Sequence, residues 1–151
     1  MNYLLDTNII IIYSKNKEKS RRIETDYKIF AKENNLSISI VSVAEINSII
    51  HQFQIGDKRR KGIDKILENV TRLDISYEEI LKRYEDIDAF SQGRHRSKKS
   101  NFSAKNMGKN DLWIAATASA FNITLVTTDK DFDHLDGEFI DLKFIDIKDY
   151  S

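Results

Sequence analysis

The sequence contains no cysteine and no proline, only five glycines, and no apolar run longer than five residues. Without cysteine the chain forms no disulfide, has no thiolate nucleophile and binds no zinc through sulfur. Its apolar runs are too short to span a bilayer, and its N-terminus lacks the pattern of a secretory signal. Neither a Gly-rich phosphate loop nor a Gly-x-Ser-x-Gly elbow is present. These absences predict a cytoplasmic protein that does not contact a membrane.

The length of 151 residues, with 40% hydrophobic and 32% charged residues, suits one folded domain with its own core. We therefore expect a single domain over residues 1–151. Short apolar segments of strand type alternate with longer segments of helix type along the chain. This alternation predicts a three-layer α/β/α fold with a central, mainly parallel sheet.

Helix boundaries are harder to place, because proline is absent and glycine is scarce. The amphipathic pattern predicts a helix over residues 21–34. The charged run over residues 57–61 lies between two glycines and predicts a polar turn. Ser42 and Glu45 have the spacing of a capping box, which predicts that a helix begins there.

Four acidic residues stand where a strand should end or a helix should begin. Asp6 and Asp129 each follow an apolar strand. Glu45 lies just inside one helix and Asp111 opens another. In an open α/β sheet, residues beyond the carboxyl ends of the strands converge on one crevice. Four carboxylates in one crevice repel each other unless a cation lies among them, so the pattern predicts a site for Mg²⁺ or Mn²⁺.

Polar neighbours of these acids are expected to support the same site. Asn8, Thr127 and Thr128 lie beside Asp6 or Asp129 in the sequence. Their side chains are predicted to hold carboxylate oxygens or water molecules around the ion.

Each acid, taken alone, also has a purely structural explanation. Asp6 can cap the helix that follows it, and Glu45 can close a capping box. Asp111 can stabilise its helix through the helix dipole. Asp129 can belong, with Asp131, to an acidic turn. The sequence leaves these alternatives open.

A basic segment lies between Gly93 and Lys109. It contains six basic residues and no acidic one, so the remainder of this neutral chain carries a net charge of −6. Because the segment precedes Asp111 directly, we predict that it binds RNA phosphates beside the anionic site. The predicted RNA-binding residues are Arg94, Arg96, Lys98, Lys99, Lys105 and Lys109. The alternatives are a solvated loop or disorder over residues 97–103.

The order of four motifs resembles that of PIN-domain nucleases, and in particular the VapC-type toxins of bacterial toxin–antitoxin pairs. The resemblance covers essentially the whole chain. The motifs are Leu4-Leu5-Asp6-Thr7-Asn8, Val43-Ala44-Glu45, Asn110-Asp111-Leu112-Trp113-Ile114-Ala115-Ala116 and Val126-Thr127-Thr128-Asp129-Lys130-Asp131-Phe132.

This resemblance implies a PIN-like fold and metal-dependent hydrolysis of RNA phosphodiester bonds. It implies that Asp6, Glu45 and Asp111 are the core metal ligands. Asp129 would be the fourth acid, with Asp131 as a competitor for that role. The resemblance further implies products with 5′-phosphate and 3′-hydroxyl ends, a structured target such as tRNA, a homodimer, and a cognate antitoxin that blocks the site.

Other functions compatible with the sequence keep the same fold. One is a catalytically silent PIN-like module that binds RNA or a protein through the basic segment. Another keeps the metal chemistry but acts on a DNA flap or a phosphomonoester. The polar segment before Asp111 is longer than is usual in the family.

Overall fold

The computed structural model describes residues 1–151 and contains one five-stranded parallel sheet. The strands lie in the order β3-β2-β1-β4-β5, and every neighbouring pair is parallel. Tyr3 on the central strand pairs with Leu36 on one side and Thr124 on the other. The strands are β1 (Asn2–Leu5), β2 (Asn35–Ser39), β3 (Thr71–Leu73), β4 (Thr124–Thr127) and β5 (Leu142–Phe144).

Helices cover both faces of this sheet. They are α1 (Thr7–Lys15), α2 (Lys17–Tyr27), α3 (Ile40–Gln52), α4 (Asp57–Leu67), α5 (Glu78–Ser91) and α6 (Lys109–Phe121), with two 3-10 helices at Lys130–Leu135 and Ile147–Tyr150. No helix combines the length and the apolar character that a membrane crossing requires.

The core is divided by the sheet into two apolar layers. Leu5 packs with residues of α1 to α4, whereas its neighbour Leu4 packs with α5 and α6. The same alternation occurs on β4, where Val126 belongs to the first layer and Leu125 to the second. Successive strand residues point to opposite faces, so each strand contributes to both layers. The predicted three-layer α/β/α fold is therefore confirmed.

The strand order also places a crevice at one edge of the sheet. The chain proceeds from β1 outward to β2 and β3, and then returns to form β4 on the opposite side of β1. Such a reversal opens a crevice beyond the carboxyl ends of the two central strands. Asp6 follows β1 and Asp129 lies two residues beyond β4. The N-terminus of α6, which carries Asp111, lies at this edge because α6 leads back to the start of β4.

Three predicted helix boundaries were wrong. The second helix spans Lys17–Tyr27 instead of residues 21–34, because the Asn16 side chain caps its start and Lys28 ends it in a left-handed conformation with φ of 51°. Residues 57–61 form the first turns of α4, so they are not a turn. The third helix begins at Ile40, where the Ser39 hydroxyl accepts a hydrogen bond from the Val41 N–H.

Candidate metal centre and nucleic-acid interface

Asp6 is buried between β1 and α1, and both of its carboxylate oxygens are held by threonines. Its backbone N–H donates to the Val126 carbonyl at 3.0 Å, which fixes the residue beside β4. The Thr127 hydroxyl donates to Oδ2 at 2.7 Å, and the Thr7 N–H donates to Oδ1 at 2.8 Å. Each carboxylate oxygen keeps a further lone pair that can bind a cation.

Thr7 also connects Asp6 to Glu45. Its hydroxyl donates to Glu45 Oε1 at 2.8 Å, across 38 residues of sequence. Glu45 lies in the second turn of α3 and Ser39 caps that helix, so the capping-box explanation for Glu45 is wrong. The buried Ser42 hydroxyl has no hydrogen-bond partner. Glu45 is therefore directed toward the Asp6 crevice by a tertiary contact.

Asp111, Asp129 and Asp131 form a second group, and the Thr127 hydroxyl connects this group to Asp6 through hydrogen bonds. The Thr127 hydroxyl accepts from the Asp129 N–H at 3.0 Å, and Asp129 Oδ1 accepts from the Asp131 N–H at 2.9 Å. One carboxylate oxygen from each of Asp111, Asp129 and Asp131 lies within 4.8 Å of the other two. A chain of hydrogen bonds thus links Asp6, which follows β1, to Asp129 and Asp131, which follow β4. Asp111, at the start of α6, lies beside Asp129 and Asp131 without a hydrogen bond to them.

The acids influence each other electrostatically. Burial, followed by the charges of nearby carboxylates, raises the pKa of Asp111 from 3.8 to about 7; these neighbours are Asp6, Asp129, Glu45 and Asp131. Burial also raises the pKa of Asp6, although the hydrogen bonds from Thr127 and Thr7 partly oppose that rise. The site therefore has an excess of negative charge that a bound cation would neutralise.

This set of donors suits a hard divalent ion. The compact group consists of Asp111, Asp129 and Asp131, while Asp6 and Glu45 lie outside it but near enough to raise the pKa of Asp111. All five offer carboxylate oxygens, the ligands that Mg²⁺ and Mn²⁺ prefer. None of these acids forms an ion pair with a lysine, arginine or histidine. The residues present therefore fit a divalent metal ion.

Among the polar residues predicted to support the site, only Thr127 contacts an acid through its side chain. Asn8 is exposed and Thr128 is half-buried, and neither side chain forms a hydrogen bond with the acids. Sequence reasoning missed Thr7, whose only signal was its position directly after Asp6. It also gave Asp131 less weight than the structure does, since Asp131 lies in the same acidic group as Asp111 and Asp129.

The basic segment has neither α-helix nor strand before α6, but it is anchored to the fold. The Phe102 ring packs edge-on against Phe90, with ring centroids 5.4 Å apart, and Met107 is buried. The Lys105 N–H donates to the Ser91 carbonyl at 2.7 Å. The Ser91 hydroxyl lies 2.7 Å from Nε2 of His134. These contacts hold the segment against the 3-10 helix that carries Asp131.

All six predicted RNA-binding side chains are exposed. Lys98 differs from the others because its Nζ is 2.9 Å from Glu138 Oε2 and 5.5 Å from the centre of the Phe139 ring. Lys109 is the first residue of α6, two positions before Asp111. The basic segment therefore meets the acidic group at its Lys109 end.

Comparison with known proteins agrees with this arrangement. A family model described as PIN domain matches residues 3–138. Ribonuclease VapC2 of Rickettsia felis (strain ATCC VR-1525 / URRWXCal2) is 33% identical over 132 residues, which cover 84% of this chain and 86% of that protein.

Solved structures give the same result for the fold. One of them is a crystal structure of VapBC2 from Rickettsia felis bound to a DNA fragment from its promoter. A chain of that structure superposes with a TM-score of 0.74 at 24% identity, covering 95% of this chain and 98% of that one. A chain of VapBC-1 from nontypeable Haemophilus influenzae gives a TM-score of 0.64 at 28% identity, with the same coverage. The chain therefore belongs to the PIN-domain family and is related to the VapC ribonucleases.

Proposed function

We propose that this protein is a divalent-metal-dependent endoribonuclease and the toxin of a VapBC-type pair. The observation that carries the proposal is that Asp6 and Glu45, together with the compact group of acids around Asp111, act on one carboxyl group at the edge of the sheet. Burial and these charges raise the pKa of Asp111 to about 7. Membership of the PIN-domain family and 33% identity to a ribonuclease support the assignment.

In this proposal Asp6, Glu45 and Asp111 hold Mg²⁺ or Mn²⁺, and Asp129 is the fourth acid. Asp131 competes for the fourth position because its carboxylate lies in the same group. A divalent ion held there would supply Lewis acidity, which would neutralise charge on the phosphodiester and lower the pKa of a water molecule. The reaction is hydrolysis of an RNA phosphodiester that leaves 5′-phosphate and 3′-hydroxyl ends.

The threonines orient these ligands. Thr127 fixes one oxygen of Asp6, and Thr7 fixes one oxygen of Glu45, so neither carboxylate can rotate freely. Orientation of ligands by such hydrogen bonds typically changes metal affinity or activity by 10- to 100-fold. Asp111 differs, because burial and its acidic neighbours all disfavour its charged form. A bound cation would therefore favour the charged form of Asp111.

The basic segment recruits the RNA backbone. Its exposed cations counter the repulsion between the acidic site and a polyanion. We propose a structured RNA such as tRNA as the target. A cognate antitoxin that blocks the site and a homodimeric state complete the proposal; the related solved structures are VapBC complexes, which supports the antitoxin.

The direct test incubates purified protein with structured RNA, single-stranded DNA and a small phosphomonoester, each with Mg²⁺, with Mn²⁺ or with chelator. Of the three substrates, we expect only the RNA to be cleaved, and we expect chelator to abolish that cleavage. Asp6→Asn and Asp111→Asn should lose cleavage. Asp133→Asn should keep it, because Asp133 is an exposed acid of the same 3-10 helix as Asp131 but lies outside the acidic group.

Other results would favour other functions. Intact RNA at high enzyme excess, together with retained RNA binding, would favour the catalytically silent module. Cleavage in chelator would contradict the metal dependence. Cleavage of DNA or of the phosphomonoester in place of RNA would change the substrate class while leaving the metal site in place.

A further inference from the structure

A groove with a volume of about 540 Å³ runs between α3 and α6, beside the acidic crevice. It shares Glu45 with that crevice, and Asn110, which also lines it, immediately precedes Asp111. A ligand in this groove would therefore lie next to the proposed metal site. The volume is within the range of about 300–1,000 Å³ that small-molecule sites occupy.

The lining of the groove combines apolar walls with a few hydrogen-bonding groups. Ala44 and Ile49 contribute apolar surface, and Trp113 contributes an aromatic ring. The Tyr84 ring supports that indole, with ring centroids 4.3 Å apart. The Ser48 hydroxyl and the Asn110 carboxamide supply donors and acceptors.

No lysine, arginine or histidine lines the groove. The groove thus offers nothing to neutralise a phosphate, and the Glu45 carboxylate in its lining would repel one. An aromatic wall with a carboxamide beside it is instead suited to a flat, uncharged heterocycle. Proteins bind single-stranded RNA in this way, stacking unpaired bases on aromatic side chains and forming hydrogen bonds with their edges.

We propose that this groove binds one unpaired nucleobase of the RNA, in the nucleotide adjacent to the bond that is cut. The inference rests on the proposed nuclease function, because the RNA must present a phosphate to the acids and a base to the groove at the same time. It also provides a source of sequence preference at one position of the target, through the Asn110 and Ser48 side chains.

The single tryptophan of the chain reports on this groove directly. Trp113 fluorescence is measured at saturating Mg²⁺ while a single-stranded oligoribonucleotide with cleavage-resistant linkages is added. An abasic oligonucleotide of the same length and backbone is the control. The oligoribonucleotide should quench or shift the emission, and the abasic control should not. An equal response to both, or no response, would overturn the inference.

This experiment separates the inference from the proposed function. Cleavage of RNA without a base-dependent response of Trp113 would leave the nuclease in place and overturn the base site. A base-dependent response without cleavage under any metal condition would support the base site and remove the nuclease.

A substitution that fills the groove gives a second test. Ser48→Leu places a larger side chain in it, whereas Asn47→Leu makes the same change at an adjacent, exposed position of α3 outside it. Loss of one stacked base corresponds to a roughly 5- to 150-fold change in affinity. Ser48→Leu should raise KM for RNA by such a factor with little change in kcat, and Asn47→Leu should behave as wild type.

Two outcomes of this test would contradict the base site. Unchanged KM for Ser48→Leu would show that the groove takes no part in binding RNA. Unchanged KM together with an altered elution volume in size-exclusion chromatography would indicate that the groove is a contact between two copies of the chain.

Discussion

Replacing Asp111 by asparagine keeps the shape of the side chain and removes its charge. In the absence of metal, that charge is unfavourable, because burial and the neighbouring acids raise the pKa of Asp111 to about 7. A carboxyl group whose pKa is higher in the folded than in the unfolded protein favours folding when it is protonated. The resulting loss of folding stability is absent below pH 3.8, the ordinary pKa. It grows as the pH rises from that value and is complete above about 7.

The size of the effect follows from the difference between these two pKa values, about 3 units. At 1.36 kcal/mol per unit, the ceiling is about 4 kcal/mol. Asp111 is half-buried, and solvent screening reduces this to about 2 kcal/mol. The favourable interaction of an acid with the first turn of its helix, about 0.3–1 kcal/mol, is lost in the variant. The expected net gain in free energy of unfolding for Asp111→Asn in chelator is therefore about 1–1.7 kcal/mol.

The difference in free energy of unfolding between Asp111→Asn and wild type is measured by urea unfolding in chelator, at about pH 4 and about pH 8. The variant should exceed wild type in free energy of unfolding at the higher pH, and the gain should disappear at the lower one. Asp57→Asn is the matched control, since Asp57 lies in the first turn of α4, which also begins after a glycine without a side-chain cap. That control should lose about 0.3–1 kcal/mol. An equal loss for Asp111→Asn at pH 8 would refute the repulsion argument and make Asp111 a structural partner of its helix.

The remaining predictions concern metal binding, ligand orientation and RNA contact. Saturating Mg²⁺ at about 100 times its Kd should raise wild-type stability by about 2.7 kcal/mol, measured as a rise in Tm; an unchanged Tm would count against a metal site. Thr7→Val should lower cleavage about 10- to 100-fold by releasing Glu45, whereas Thr25→Val, which breaks only a bond within α2, should not. Lys99→Gln should reduce the salt dependence of RNA binding more than Lys98→Gln, because Lys98 is already paired with Glu138. Equal slopes of log binding constant against log salt concentration for the two variants would contradict this.

The sheet and the location of the crevice were accessible from the sequence because both depend on local patterns. Short apolar segments define the strands, and the residue after each strand lies at the carboxyl edge whatever the details of packing. Asp6 and Asp129 could therefore be assigned to one edge before any tertiary contact was known. Their roles as metal ligands remain predictions.

Features that depend on contacts between residues far apart in the sequence could not be predicted from the sequence. The hydrogen bond from Thr7 to Glu45 joins residues 38 positions apart, and no local pattern signals it. The second helix ends at Lys28, where a left-handed residue replaces the glycine that usually marks such an end. The groove brings Ser48 together with Trp113 across the interface of α3 and α6. Each of these required the packed structure.

The central claim is that Asp6, Glu45 and Asp111 hold a divalent ion at the carboxyl edge of the sheet. Crystals soaked in Mn²⁺ and measured near the manganese absorption edge test it directly. We expect an anomalous peak at about 2.0–2.2 Å from carboxylate oxygens of these residues. A crevice without a peak at saturating Mn²⁺, or with the ion bound only to other residues, would contradict it.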